Sequence, residues 1–158
     1  MGLIHEQLYR SEDFTSIDMK EFILDLVRTQ RAMSIGGKKR VEYDIRIDNI
    51  FFEVDMATPV GLIINEIITN SLKYAFPEGQ DGMIGISLAA LKNDEYELLI
   101  FDNGIGLPQE IVPDTTNTFG LYLVKMLVEA QLQGSLEIDR TTGTRFIIRF
   151  KTAYRKKR

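Results

Sequence analysis

The sequence predicts an α+β fold: a mixed or antiparallel sheet with helices on one face. Three observations carry that expectation. Helix-like and strand-like periodicities fall in clusters along the chain and do not alternate strictly. Two stretches, 83–102 and 135–150, each place two apolar runs on either side of a short polar turn, as hairpins do. The 158 residues, 44% apolar and 27% charged, suffice for one hydrophobic core, and no repeat or low-complexity linker divides it.

The elements follow in order. The opening "LIHEQLYRSEDFTSID" is polar and reads as a helix end running into a loop, with Ser16 or Asp18 able to cap the next helix. There Phe22, Ile23, Leu26, Val27 and Met33 recur near the helical period, and "GGKK" ends the run because glycine accepts left-handed geometry. "VEYDIRI" alternates like a half-buried strand, and "FFEV" suggests a second, shorter one. Thr58 before Pro59 marks a helix start, with threonine as cap and proline in the first turn; that helix contains "NEIITNSLKYAF". "MIGISLAAL" and "YELLIFD" predict two strands joined through "KNDE". A loop over 104–118 leads to a helix, "FGLYLVKMLVEAQ", that Gly134 stops, and "SLEIDR" and "TRFIIRF" close the chain as strands around "TTG".

Composition narrows the chemistry. With no cysteine there is no disulfide, thiolate nucleophile or cysteine-bound metal, and the single histidine, His5, cannot build a multi-histidine site. A net charge of −4 argues against a dedicated nucleic-acid binder, and the "RKKR" tail is an ordinary solvated end. No membrane-length apolar run and no signal-peptide pattern are present, so a cytoplasmic location is expected. Helix-like sequence directly after Met1-Gly2 suggests a piece of something longer.

Four short patterns carry chemistry. On a helix, Glu66, Asn70 and Lys73 stand at i, i+4 and i+7, opposite Ile64, Ile67, Ile68, Leu72 and Ala75. A solvated polar stripe would look the same, yet two asparagines in six residues weaken a helix unless their amides have work. An amide oxygen suits Mg2+, a lysine one turn on suits a phosphate, and a glutamate one turn earlier could orient a nucleophile or take its proton. Next, "FDNGIGLP" ends an apolar strand on Asp102, followed by Gly104 and Gly106. Asn-Gly is a strong hairpin signal, but no alternating strand follows; a carboxylate beside glycines could instead bind the exocyclic amine of adenine. Thr118, Phe119 and Gly120 open the last helix, either as an ordinary threonine cap or as an anion-accepting N-terminus. Gly143-Thr144, taken alone, is a turn.

The joint order is more specific than any part: E-x-x-x-N-S on a helix, D-x-G-x-G after a strand, a loop, a glycine at a helix start, then Gly-Thr before a final strand. From about residue 56 onward the chain resembles the ATP-binding domain shared by histidine kinases, Hsp90 chaperones, type II topoisomerases and mismatch-repair ATPases. Its opening, with "GLIINEIITNSLKYAF", looks most like sensor histidine kinases whose dimerisation box reads H-R-V-K-N-N.

That resemblance implies the Bergerat fold, a two-layer α/β sandwich with a mixed, mostly antiparallel sheet. It implies residues 1–16 as the end of a dimerisation helix and linker, 17–152 as the catalytic domain, and 153–158 as a basic tail. By resemblance, Asn70 would coordinate Mg2+ and Lys73 would lie near the phosphates of ATP. Asp102 would bind the adenine amine, with Gly104, Gly106 and Thr144 around the base, Gly120 and Leu121 approaching the triphosphate, and Asn65 flanking the site. Loop 107–118 would act as a lid. Glu66 stands where the chaperone branch keeps a water-activating glutamate. The implied activity is donation of the γ-phosphoryl group to a histidine on a dimerisation domain, with a response regulator downstream, a homodimeric parent and no nucleic acid. The alternatives are an ATP-hydrolysing conformational machine and a catalytically silent nucleotide-binding module. Thr118 replaces the first glycine of the family's usual G-x-G, no H-R-V-K-N-N box occurs, and His5 matches the connecting segment, where it is expected to be structural.

Overall fold

The computed structural model describes residues 16–33, 40–77, 80–106 and 119–152. The opening segment with His5, the "GGKK" stop, loop 107–118 with Thr118, and the basic tail lie outside them. Among the described residues, seven strands and three helices run in chain order: β1 (Ile17–Asp18), α1 (Met19–Met33), β2 (Val41–Ile47), β3 (Phe51–Phe52), α2 (Val54–Asn70), β4 (Gly82–Ala90), β5 (Glu95–Asp102), α3 (Phe119–Met126), β6 (Ser135–Asp139) and β7 (Thr144–Lys151). Both α2 and α3 continue into a π-helical turn, over Ser71–Ala75 and Leu127–Gln131. No helix among the described residues is long and apolar enough to cross a membrane.

Five strands form one sheet in the order β2-β4-β5-β7-β6, and β1 pairs with β3 as a separate two-stranded piece. All partners in the large sheet are antiparallel except β2 and β4, which run parallel because the chain crosses over through α2 between them. The expected mixed, mostly antiparallel sheet is therefore present. Its register aligns one apolar row: Leu88, Leu98 and Ile148 lie side by side, as do Ile86, Ile100 and Phe146. All six are buried together with Phe22, Ile23 and Leu26 of α1 and Ile63, Ile64 and Ile67 of α2. At one end of the row, Phe52, Tyr96 and Phe150 form an aromatic cluster with ring centroids 4.9–5.8 Å apart. At the other end the row finishes on Asp102, flanked in register by Ile84 and Thr144.

Several local expectations hold. Asp18 caps α1, its Oδ1 accepting the Lys20 N–H at 3.1 Å. The "KNDE" turn is a tight hairpin: Asn93 and Asp94 take φ of 61° and 60°, and the Glu95 N–H bonds the Lys92 carbonyl. Others need correction. Helix α2 starts at Val54, not at Thr58-Pro59, and Pro59 lies inside it. Met56, Ala57 and Val60 are all buried, so core packing extends the helix a turn before the proline. The "FFEV" strand shrinks to Phe51–Phe52, since Glu53 already accepts the first helical N–H groups from Met56 and Ala57. The residue with left-handed geometry after α3 is Gln133, at φ 54°, rather than Gly134. Gly134 is needed for proximity: a methyl there would collide with the Arg149 carbonyl oxygen.

Candidate functional site

Asp102 is the one acidic side chain that closes an otherwise apolar row, and it is 3% exposed. Strand alternation puts it on the same face as Leu98 and Ile100, the face that packs against the helices. A buried carboxylate is tolerated only with hydrogen-bond donors around it. Asp102 Oδ1 accepts the Gly104 N–H and Oδ2 accepts the Ser71 hydroxyl, both at 3.0 Å. Burial nevertheless holds its pKa above the ordinary carboxylate value, against the opposing hydrogen bonds from Gly104, Ser71 and the Thr144 backbone. Three donors on a carboxylate with about four lone-pair sites leave it able to accept a further N–H.

The backbone around it is pressed close. Gly104 lies against the carbonyl of Ala75, with no space for a methyl between them, and the same carbonyl accepts the Ile105 N–H. Gly143, at φ 71°, leaves no room for a methyl beside the Asp102 carbonyl, and Gly106, at φ 87°, lies near the Gly143 carbonyl. Asn103 extends the ladder one step past the strand: its N–H bonds the Met83 carbonyl while its Oδ1 accepts the Met83 N–H at 2.8 Å. Neither Asn103 nor Gly104 has a positive φ, so the hairpin reading of Asn-Gly does not apply here.

The second edge of the site belongs to α2 and α3. Gly120 in the first turn of α3 faces Glu66 and Asn70: a methyl on it would stand 3.0 Å from Asn70 Nδ2 and 3.1 Å from Glu66 Oε1. The fold thus brings a helix N-terminus, whose first N–H groups have no partner within the helix, up to one amide and one carboxylate. Lys73 does not complete a straight stripe with them, because the α-helix gives way to a π turn after Asn70; Lys73 is exposed on that turn. Leu121 is 3% exposed in the core, so only its backbone could face a ligand, and Thr144 is buried beside Asp102. Half-buried Asn65 accepts a hydrogen bond from Gln30 of α1.

Reasoning from sequence missed Ser71. It is 6% exposed, and the change from α to π geometry lets neighbouring residues serve the two edges, Asn70 toward Gly120 and Ser71 toward Asp102. The signal was the serine next to Asn70 in the N-S pair. Because an ionised carboxylate only accepts, Ser71 must donate its proton and presents lone pairs to the site. Ser71→Ala is expected to weaken ATP binding by about 1 kcal/mol and to narrow the preference for ATP over inosine triphosphate. Competition titrations check it, and an unchanged ATP-to-inosine ratio would remove Ser71 from base recognition.

The residues fit an adenine nucleotide with magnesium. Asp102 offers an acceptor for an amine, the glycines permit close approach of a flat base, and the Asn70 amide carries the kind of oxygen that a hard cation accepts beside water and phosphate. Residues 56–154 match the family model described as histidine kinase-, DNA gyrase B- and HSP90-like ATPase. The sensor histidine kinase PdtaS of Mycobacterium tuberculosis is 27% identical over 157 residues, which cover 94% of this chain and 30% of that protein. The blue-light-activated histidine kinase 2 of Erythrobacter litoralis is 25% identical over 111 residues, 70% of this chain and 32% of the relative. The chain thus spans about a third of the length of these curated relatives. Among solved structures, the histidine kinase domain of an Erythrobacter litoralis blue-light activated histidine kinase superposes with a TM-score of 0.79 at 22% identity, over 98% of this chain and 72% of that one. That likeness is one of fold.

Proposed function

The chain belongs to the histidine kinase-, DNA gyrase B- and HSP90-like ATPase family, and on that premise we propose that it binds Mg-ATP and presents the γ-phosphoryl group to a histidine on a dimerisation domain of a parent sensor kinase. The observation that carries the reading is the buried Asp102 carboxylate, held by Ser71 and Gly104 within a glycine-lined backbone cradle. Asp102 would accept the adenine amine, with Gly104, Gly106 and Thr144 around the base. Asn70 would hold Mg2+, which supplies charge neutralisation at the phosphates. The N–H groups of the α3 terminus around Gly120 and Leu121 would face the same anionic group, with Lys73 reaching in from the π turn.

With His5 as the only histidine, and in a segment matched to a connector, the acceptor is assigned to another domain. A response regulator downstream, a homodimeric parent and a cytoplasmic location complete the proposal. Calorimetric titration with ATP, with and without Mg2+, tests it: tight, magnesium-enhanced binding is expected, and no adenine-nucleotide binding refutes it. Incubation with labelled ATP should leave this chain unlabelled; robust incorporation would refute the assignment of the acceptor to another domain.

The hydrolytic alternative draws on one observation, the placement of the Glu66 carboxylate against Gly120 at the helix start. A hydrolase of this kind shows steady ATP turnover that Glu66→Ala abolishes. For the kinase reading the expected result is negligible turnover in both proteins, with ATP affinity of the variant within a few-fold of wild type.

A further inference from the structure

The buried face shared by α1 and α2 with the sheet is apolar along most of its length, with Met19, Phe22, Ile23, Leu26 and Val27 from the first helix and Met56, Val60, Ile63, Ile64 and Ile67 from the second. Gln30 interrupts it. Its side chain is buried, 5% exposed, and its Nε2 donates to Asn65 Oδ1 at 2.6 Å and to Thr69 Oγ1 at 3.4 Å. Apolar side chains alone allow one helix to turn slightly against another with little loss of buried area, whereas a buried amide bonded to two residues of the facing helix allows one arrangement. Residues 65 and 69 are one turn apart on α2, and each immediately precedes a residue of the site edge, Glu66 and Asn70. Fixing the first row fixes the direction of the second, and Glu66 and Asn70 border the space beside Gly120 that a methyl there would fill.

We infer that Gln30 is a positioning residue, which sets the rotation of α2 and thereby aims Asn70 and Glu66 at the N-terminus of α3. The inference rests on the reading of that edge as the magnesium–phosphate end of the site. Gln30 acts through its bonds to Asn65 and Thr69, as groups behind a metal ligand do.

The test compares wild type with Gln30→Leu, Gln30→Met and Gln30→Glu. ATP affinity is measured with magnesium and with a chelator, alongside the Asn70 side-chain and Gly120 amide resonances of the ligand-free proteins. In the leucine variant the gain in affinity from magnesium is expected to fall about tenfold, while affinity in chelator holds. The resonances of Asn70 and Gly120 shift and those of Gly104 and Asp102 do not. Methionine, of similar length and without a donor, gives the same result and serves if the leucine protein fails to fold. Glutamate retains most of the gain, because the Asn65 amide can turn and donate to it. An unchanged magnesium gain in a folded leucine or methionine variant overturns the inference, since a merely structural glutamine lowers the melting temperature without altering that ratio. If wild type binds no ATP, the functional reading falls. The resonances then decide separately: local shifts at Asn70 and Gly120 support positioning, and their absence overturns it.

Discussion

An Asp102→Asn substitution is expected to weaken ATP binding by roughly 30- to 100-fold, about 2–3 kcal/mol, while the melting temperature holds or rises. The two effects part because the carboxylate does different things in each. In the nucleotide-free variant the oxygen of the new amide can still accept the Gly104 N–H, and its NH2 can donate to Ser71 once that hydroxyl turns. The fold therefore keeps the bonds to Gly104 and Ser71 and loses a buried charge. For the nucleotide, an NH2 now meets the adenine amine where an acceptor stood.

The pH dependence carries the same split. Burial raises the Asp102 pKa above its ordinary value, so its contribution to stability is fully present below the unfolded-state value of about 3.9 and is lost as pH rises through the folded value. Its usefulness to the base runs the other way, because ATP affinity falls as pH drops through that folded value and the carboxylate protonates. Asp102→Asn should flatten both trends. Calorimetric titration and thermal melting across mildly acidic to neutral pH measure them. Unchanged ATP affinity in the variant would end the adenine assignment, and parallel loss of binding and stability would make residue 102 a structural acceptor.

The sheet was legible because its strands carry period-two patterns and its hairpins carry turn residues, "KNDE" above all. The parallel pairing of β2 with β4 was not, since nothing in either strand records the direction of a distant partner. Thr58-Pro59 misled because a local helix-start signal was outweighed by burial of Met56 and Ala57. Asp102, Gly104, Gly106 and Gly143-Thr144 stand out as polar or glycine positions breaking an apolar pattern, and the structure gathers them at one end of β5. Ser71 and Gln30 did not stand out. Serine beside asparagine, and glutamine in a helix, are ordinary until a π turn and a helix crossing decide what they face.

Gly143→Ala is expected to be the most damaging single-methyl change at the site, lowering stability by roughly 2–5 kcal/mol and the melting temperature by on the order of 10 °C. Two costs coincide there. At φ 71° any side chain strains the backbone, and the new carbon would overlap the Asp102 carbonyl oxygen and stand 3.0 Å from its carbon. Neither neighbour is the free end of a side chain, so strands β5 and β7 must separate where Asp102 pairs with Thr144. Gly106→Ala isolates the first cost, because its φ of 87° is equally unsuited to alanine while its nearest neighbour, the Gly143 carbonyl oxygen, is a tolerable 3.3 Å away. That variant should lose only about 1–2 kcal/mol. Chemical denaturation of the two proteins gives the comparison, and equal losses would show that strain alone accounts for both. ATP binding adds a second axis. Separation of the strands moves the Asp102 carboxylate away from Ser71 and Gly104, so Gly143→Ala should lose affinity and stability together, whereas Asp102→Asn loses affinity alone. An alanine at 143 that melts like wild type would mean that the backbone of residue 102 is free to move, and that its carboxylate is held by Ser71 and Gly104 without the strand pairing behind it.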